Sequence, residues 1–149
     1  MEYRLDLNNL YKILELVSDY NCKLLPVIKG RNEEDILQLY NEGFREFGEN
    51  RLNELSDHAR FLPEARFHFI APLQSRKIRE IMNSCDFIHT LQRPKEILAI
   101  NECYENQDIF VQINIDDDPN KSGIKINQVD EFFDNFEGLK SVSYTHLRA

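Results

Sequence analysis

The chain has no tryptophan and only five glycines and five prolines in 149 residues, which excludes a collagen-like or Gly/Pro-rich low-complexity protein. No apolar run approaches the roughly 20 residues that a membrane-spanning helix needs. The opening Met1-Glu2-Tyr3-Arg4-Leu5-Asp6 lacks the basic-then-apolar layout of a secretory signal. Cysteine is scarce: Cys22, Cys85 and Cys103 are far apart, odd in number and without C-x-x-C spacing. They fit reduced thiols in a cytoplasmic protein better than a disulfide framework or a zinc site. Basic residues are outnumbered 18 to 26, and the net charge of −8 argues against nucleic acid or an anionic membrane as the main partner. A small anionic cofactor stays open, because backbone N–H groups can hold a phosphate. No Gly-rich phosphate loop follows any apolar run, which lowers the expectation of an open nucleotide-binding sheet.

What is present is an alternation. An opening helix places Leu7, Leu10, Leu14 and Val17 on one face. Five short apolar runs follow, each trailed by helical periodicity: Leu24 to Ile28, Phe44 to Phe47, Phe67 to Ile70, Phe87 to His89, and Ile109 to Ile115. Gly43 stands where a helix-ending glycine belongs, and Ser75 is placed to cap the helix bearing Ile78, Ile81 and Met82. Strands too apolar to face water on either side imply a parallel sheet with helices outside, as a barrel or an open doubly wound sheet. Pro26 lies inside the first run and cannot donate to a ladder, so that strand is expected to be irregular.

Chemistry is expected where strands end. Lys29 closes the first run, and a lysine backed there by leucine and valine is expected to be partly desolvated, which favours its free amine. Its bland reading is a surface lysine in a loop. Phe47-Gly48-Glu49-Asn50 ends the second run; Asn50 offers a donor and an acceptor or, more plainly, a helix cap, and Glu49 could pair with a nearby lysine. His68 alternates with two phenylalanines and so faces away from them; such a histidine is more often a satisfied core residue than a catalyst. After the fifth run, Asp116, Asp118 and Asn120 open like a calcium loop, but Lys121 and Asn127 stand where glycine and glutamate are needed. Lys121-Ser122-Gly123 reads as a turn friendly to anions, or simply as the end of an acidic loop.

Four ordered segments together resemble the pyridoxal-phosphate homeostasis proteins, single-domain relatives of the alanine racemase barrel. They are Leu-Leu-Pro-Val-Ile-Lys, Phe-Gly-Glu-Asn, His-Phe-Ile-Ala-Pro-Leu-Gln-Ser-Arg-Lys, and Gln-Ile-Asn-Ile followed by Asn-Lys-Ser-Gly-Ile, spread over residues 22 to 125. The resemblance implies a (β/α)8 TIM-type barrel of the alanine racemase N-terminal kind, with about its first five βα units present. It implies pyridoxal 5′-phosphate held as a Schiff base on Lys29, with Asn50 near the cofactor, Lys121 a second lysine close by, and His68 part of the signature. It further implies a role in vitamin B6 and amino-acid balance without established turnover, with PLP-dependent apoenzymes as partners. A racemase or decarboxylase on the same barrel is the alternative. Ala71 stands where the family usually has glycine, and Ile28 and Gly30 flank Lys29 where a small hydroxyl residue and a threonine are more usual. One partial barrel domain is expected over 1–140, with 141–149 an appended or read-through tail.

Overall fold

The structure is a computed structural model that describes residues 5–136; the expected tail over 141–149 lies outside the described residues. Its elements run α1 (Leu7–Ser18), α2 (Glu33–Asn41), β1 (Glu46–Glu49), α3 (Leu52–Phe61), β2 (Arg66–Phe69), a 3-10 turn (Ser75–Lys77), α4 (Ile78–Met82), β3 (Phe87–Leu91), α5 (Pro94–Asn101), β4 (Asp108–Val111), β5 (Ile113–Asn114), β6 (Ile124–Lys125), a second 3-10 turn (Ile126–Gln128) and α6 (Val129–Asp134). The helices start where short polar side chains can satisfy free backbone N–H groups. Asp6 accepts from Asn9 N at 3.1 Å, and Asn32 from Asp35 N at 2.8 Å, ahead of an acidic first turn that suits the helix dipole. Gly43, at φ +95°, ends α2 in the left-handed conformation. Ser75 is not a cap. It begins the 3-10 turn that tightens the entry to α4, and no side-chain cap bond forms there.

Strands β1 to β4 are all parallel and lie side by side in chain order. A doubly wound sheet reverses its strand order at a switch point, whereas a barrel winds in one direction, so this order selects the barrel that periodicity alone left open. The first expected strand survives as a single parallel bridge, Val27 to Gly48, with Gly48 N donating to Pro26 O and Ile28 N to Gly48 O. Pro26 has no N–H to extend that ladder, which accounts for its brevity. The fifth expected strand is also interrupted: Ile113–Asn114 pairs instead with Ile124–Lys125, a partner the sequence pattern did not announce.

The two sheet faces differ. One packs Phe47, Phe67, Phe69 and Ile88 against the helices, whose Ile36, Leu55, Ile78 and Ile97 complete the core. The other is not apolar as expected: Arg66 there lies 3.6 Å from Glu46 and 3.7 Å from Asp108, and over the ring of Phe87 at 4.2 Å. Val27 and Phe110 on this face are about half exposed.

Candidate functional site

In a parallel sheet with helices on its outer side, the C-terminal strand ends and their βα loops converge on one rim. Here Lys29, Asn50, Ile70 and Gln92 follow four neighbouring strand positions. Val27 pairs with Gly48, and Lys29 and Asn50 each follow two residues on, Lys29 in the turn beyond the last bond between the two segments. Gly48 suits this close approach: a Cβ there would lie 3.2 Å from Val27 Cγ2 and 3.5 Å from Leu25 Cδ2, so those side chains would have to give. Lys29 is exposed, so the partial desolvation expected from Leu25 and Val27 is not found; those side chains flank it along one strand and do not cover it. Its amine is free to meet a ligand from solvent.

Asn50 is half-buried, and its Oδ1 is shut off from solvent without a hydrogen-bond partner. A buried acceptor without a donor is costly. Asn50 is not the cap of α3, and no side-chain cap bond forms there. Glu49, fully buried on the helix side, instead holds the turn ahead of the helix: its Oε1 accepts from Asn50 N at 2.7 Å and Arg51 N at 3.1 Å. Glu49 therefore pairs with backbone rather than with a lysine, and His58 Nδ1 lies 3.3 Å from its other oxygen. The sequence signal for this was available: a glutamate immediately before the first turn of an amphipathic helix, with a histidine on that helix's inner face.

A cleft of about 710 Å³ opens along the same rim, between the starts of α3, α4 and α5. Leu52, Phe69, Leu73 and Ile81 contribute apolar lining and Asn50, Gln74, Lys77 and Arg93 polar groups. Arg93 is already occupied by Glu96 and the carbonyl of Leu73. Glu96, wholly buried, also accepts from Gln92 N and Arg93 N and so seats the start of α5.

His68 lies one layer below the rim. It faces away from Phe67 and Phe69 as the alternation requires, stacks on Phe87 at 3.9 Å between centroids, and shares a 2.9 Å hydrogen bond between its Nδ1 and His89 Nε2. The sequence reading treated His68 as solitary; Phe87 is opposite it on the next strand and His89, its partner, lies two residues further on the same face, visible only once register is known. Burial, then the nearby His89 and Arg66, push His68 down to about 4 against the opposing pull of Glu46 and Asp86, and burial lowers His89 as well. A histidine whose pKa is depressed in the fold takes up protons more readily when unfolded. The stability it supports is therefore whole above pH 6.5 and is lost as pH falls from 6.5 toward 4. Thermal melts are expected to show about 1–2 kcal/mol less stability at pH 5 than at pH 7.5 from this residue, a slope that His68→Gln flattens.

Lys121 is not brought to Lys29 by any strand pairing: its loop joins β5 and β6, which form a two-stranded sheet separate from β1 to β4. Its ammonium binds Asp116 Oδ2 at 2.5 Å in the β5–β6 loop, and the loop closes on buried Asn114, whose Nδ2 donates to Asp118 O at 2.8 Å and Lys121 O at 3.3 Å. Among the described residues no group of three or more His, Cys, Asp or Glu could hold a metal ion, and no helix is long and apolar enough to cross a membrane. Burial pushes Cys85 up to about 12 and raises Cys103, so neither is an activated thiol.

An all-parallel, singly wound sheet with helices packed on one face defines the architecture of a (β/α)-barrel. The family model described as "Alanine racemase, N-terminal domain" matches residues 7–148, and the chain belongs to that family. It is similar to the pyridoxal phosphate homeostasis protein of Pasteurella multocida, 33% identical over 135 residues that make up 85% of this chain and 58% of that protein. The Escherichia coli protein of the same name is 35% identical over 124 residues, 72% of this chain and 50% of its own length. The chain thus spans between half and three-fifths of these relatives. Among solved structures, PipY of Synechococcus elongatus without PLP superposes with a TM-score of 0.72 at 24% identity, over 87% of this chain and 65% of PipY. The PLP-bound form of PipY gives 0.70 at 21% identity, over 87% and 64%. These likenesses establish the barrel architecture.

Proposed function

We propose that the chain is the front portion of a pyridoxal 5′-phosphate-binding protein of vitamin B6 and amino-acid homeostasis, with Lys29 holding the cofactor as a Schiff base. The observation that carries the reading is the place of Lys29 and Asn50 just past the bridged pair Val27 and Gly48, an accessible amine at one strand end and, at the next, a buried acceptor that lacks a donor. The names of the relatives supply the ligand: the curated proteins are called pyridoxal phosphate homeostasis proteins. The residues fit the group. An exposed lysine can condense with an aldehyde, and the cofactor brings polar groups that can answer an orphaned acceptor. Bound, the cofactor would supply electron-sink chemistry.

In this reading Asn50 orients the ring, His68 braces the strand layer beneath it, and Lys121 is a second amine carried by the β5–β6 loop. The protein holds and delivers the cofactor to PLP-dependent apoenzymes in the cytoplasm and turns nothing over itself. Incubating the chain with pyridoxal 5′-phosphate, reducing with borohydride and mapping the modified peptides tests the assignment. Label concentrated on Lys29 supports it. Label spread evenly over the exposed lysines sinks it, and exchange of amino-acid α-protons in the same mixture would replace the carrier by an enzyme.

A further inference from the structure

Beyond Ile28 the segment that carries Lys29 leaves the sheet: Ile28 N to Gly48 O, at 3.0 Å, is its last bond to β1. Gly30 turns into the left-handed region at φ +64°, and Arg31 N closes back on Ile28 O at 3.0 Å. One side chain reaches across to this turn. Glu54, on the first turn of α3, accepts from Gly30 N through Oε2 at 2.6 Å and from Arg51 Nη1 through Oε1 at 2.5 Å. Arg51 directly follows Asn50. A single carboxylate thus ties the Lys29–Gly30 turn to the Asn50–Arg51 turn, by charge-assisted bonds at both ends.

We propose that Glu54 is the positioning residue of Lys29, holding the lysine turn against the strand end that carries Asn50. The inference rests on the reading of Lys29 as the cofactor lysine, and it concerns a residue that touches neither cofactor nor amine. Pro26 offers no N–H to lengthen the ladder ahead of the Val27–Gly48 bridge. The Gly30 N–H first of all, then Arg51 and the nearby His58, hold the Glu54 carboxyl below the usual carboxylate range despite its partial burial, so it stays ionised at neutral pH. Arg51 in turn is raised by Glu54 and, more weakly, by Glu49.

The test uses the full chain with Glu54→Ala and Glu54→Gln, and Lys29→Ala as reference. Three quantities are read: the exchange rate and chemical shift of the Gly30 amide proton, the nuclear Overhauser contact between Gly30 and the Arg51 side chain, whose Nη1 lies 4.0 Å from a Cβ built on Gly30, and the share of borohydride-trapped pyridoxal 5′-phosphate found on Lys29. In Glu54→Ala, Gly30 exchange is expected to rise about tenfold, the Gly30–Arg51 contact to fade, and the label on Lys29 to fall severalfold. Glu54→Gln keeps an acceptor for Gly30 and is expected to recover part of each. Unchanged Gly30 exchange and Lys29 label in Glu54→Ala would overturn the proposal, as would a folded Glu54→Gln no better than alanine. If the wild type takes no label on Lys29, the cofactor reading fails by itself. Positioning is then decided by the Gly30–Arg51 contact, whose survival in both variants overturns it. Should Glu54→Ala fail to fold, the glutamine variant decides on the same readouts.

Discussion

Lys29→Ala is expected to abolish the borohydride-stable pyridoxal 5′-phosphate label at that position and the absorbance band of the bound cofactor. The expectation follows from bond type. A Schiff base is a covalent link that an alanine cannot replace, whereas each polar contact around it contributes only about 0.5–1.5 kcal/mol. Loss of the amine should thus weaken retention by about 100-fold or more, while loss of Asn50 costs about tenfold. Lys121→Ala is the control: its ammonium is bound to Asp116 in a loop of its own, and label on Lys29 should persist within about twofold. An undiminished band in Lys29→Ala would remove that lysine from the role. Barrels of this class commonly take phosphate on loops after the seventh and eighth strands. A chain extended to the length of its relatives is therefore expected to hold the cofactor more tightly than these 149 residues, and in it Lys29→Ala should have the larger absolute effect.

How much of this was legible beforehand depends on the range of the interaction. Helices were readable because their determinants are local: the Leu10 and Ile36 faces, the Asn32 cap and the Gly43 stop all act within a few residues. Strand positions were readable to within about two residues, as the displacement of Phe44–Phe47 to Glu46–Glu49 illustrates. Whatever depends on register was not readable. The bond between His68 and His89, the charge ladder from Glu46 through Arg66 to Asp108, and the pairing of β5 with β6 join residues 11 to 42 positions apart in a way no single run displays. Lys29 and Asn50 were individually recognisable, yet that they end neighbouring strand segments follows only from the Val27–Gly48 bridge. Glu49 was misjudged for a related reason: its alternation put it near the rim, but its partners are the N–H groups of the two residues ahead of α3, and burial on the helix side keeps it from any lysine.

Gly123→Ala is expected to be among the most damaging single-methyl additions in the chain. Gly123 sits at φ +122°, where L side chains are strained, and a Cβ built there falls 2.8 Å from Asn114 N, 2.9 Å from Ile113 C and 3.1 Å from Gln112 O. All three are backbone atoms of the strand it crosses, so no side-chain rotation relieves the clash. The backbone must separate, and with it go Gly123 N to Gln92 Oε1 at 2.6 Å, Ile124 N to Gln112 O at 2.8 Å and the short β5–β6 ladder. Strained backbone and lost bonds together give a cost of about 3 kcal/mol or more. Because Ile124 is a core residue, the damage should reach the melting temperature and not only the loop. Gly43→Ala is the matched comparison. Its φ of +95° is as unsuited to alanine, but nothing lies within 4 Å of the added carbon, so only the conformational penalty of about 1 kcal/mol remains. Hydrogen exchange at Ile124 should quicken in Gly123→Ala and stay slow in Gly43→Ala. Equal losses of stability in the two variants would mean that close approach of the β5 backbone is not what requires glycine at 123. Lys29 labelling should survive Gly123→Ala at a temperature where the chain stays folded, since the β5–β6 loop and the Lys29 turn share no bond described above.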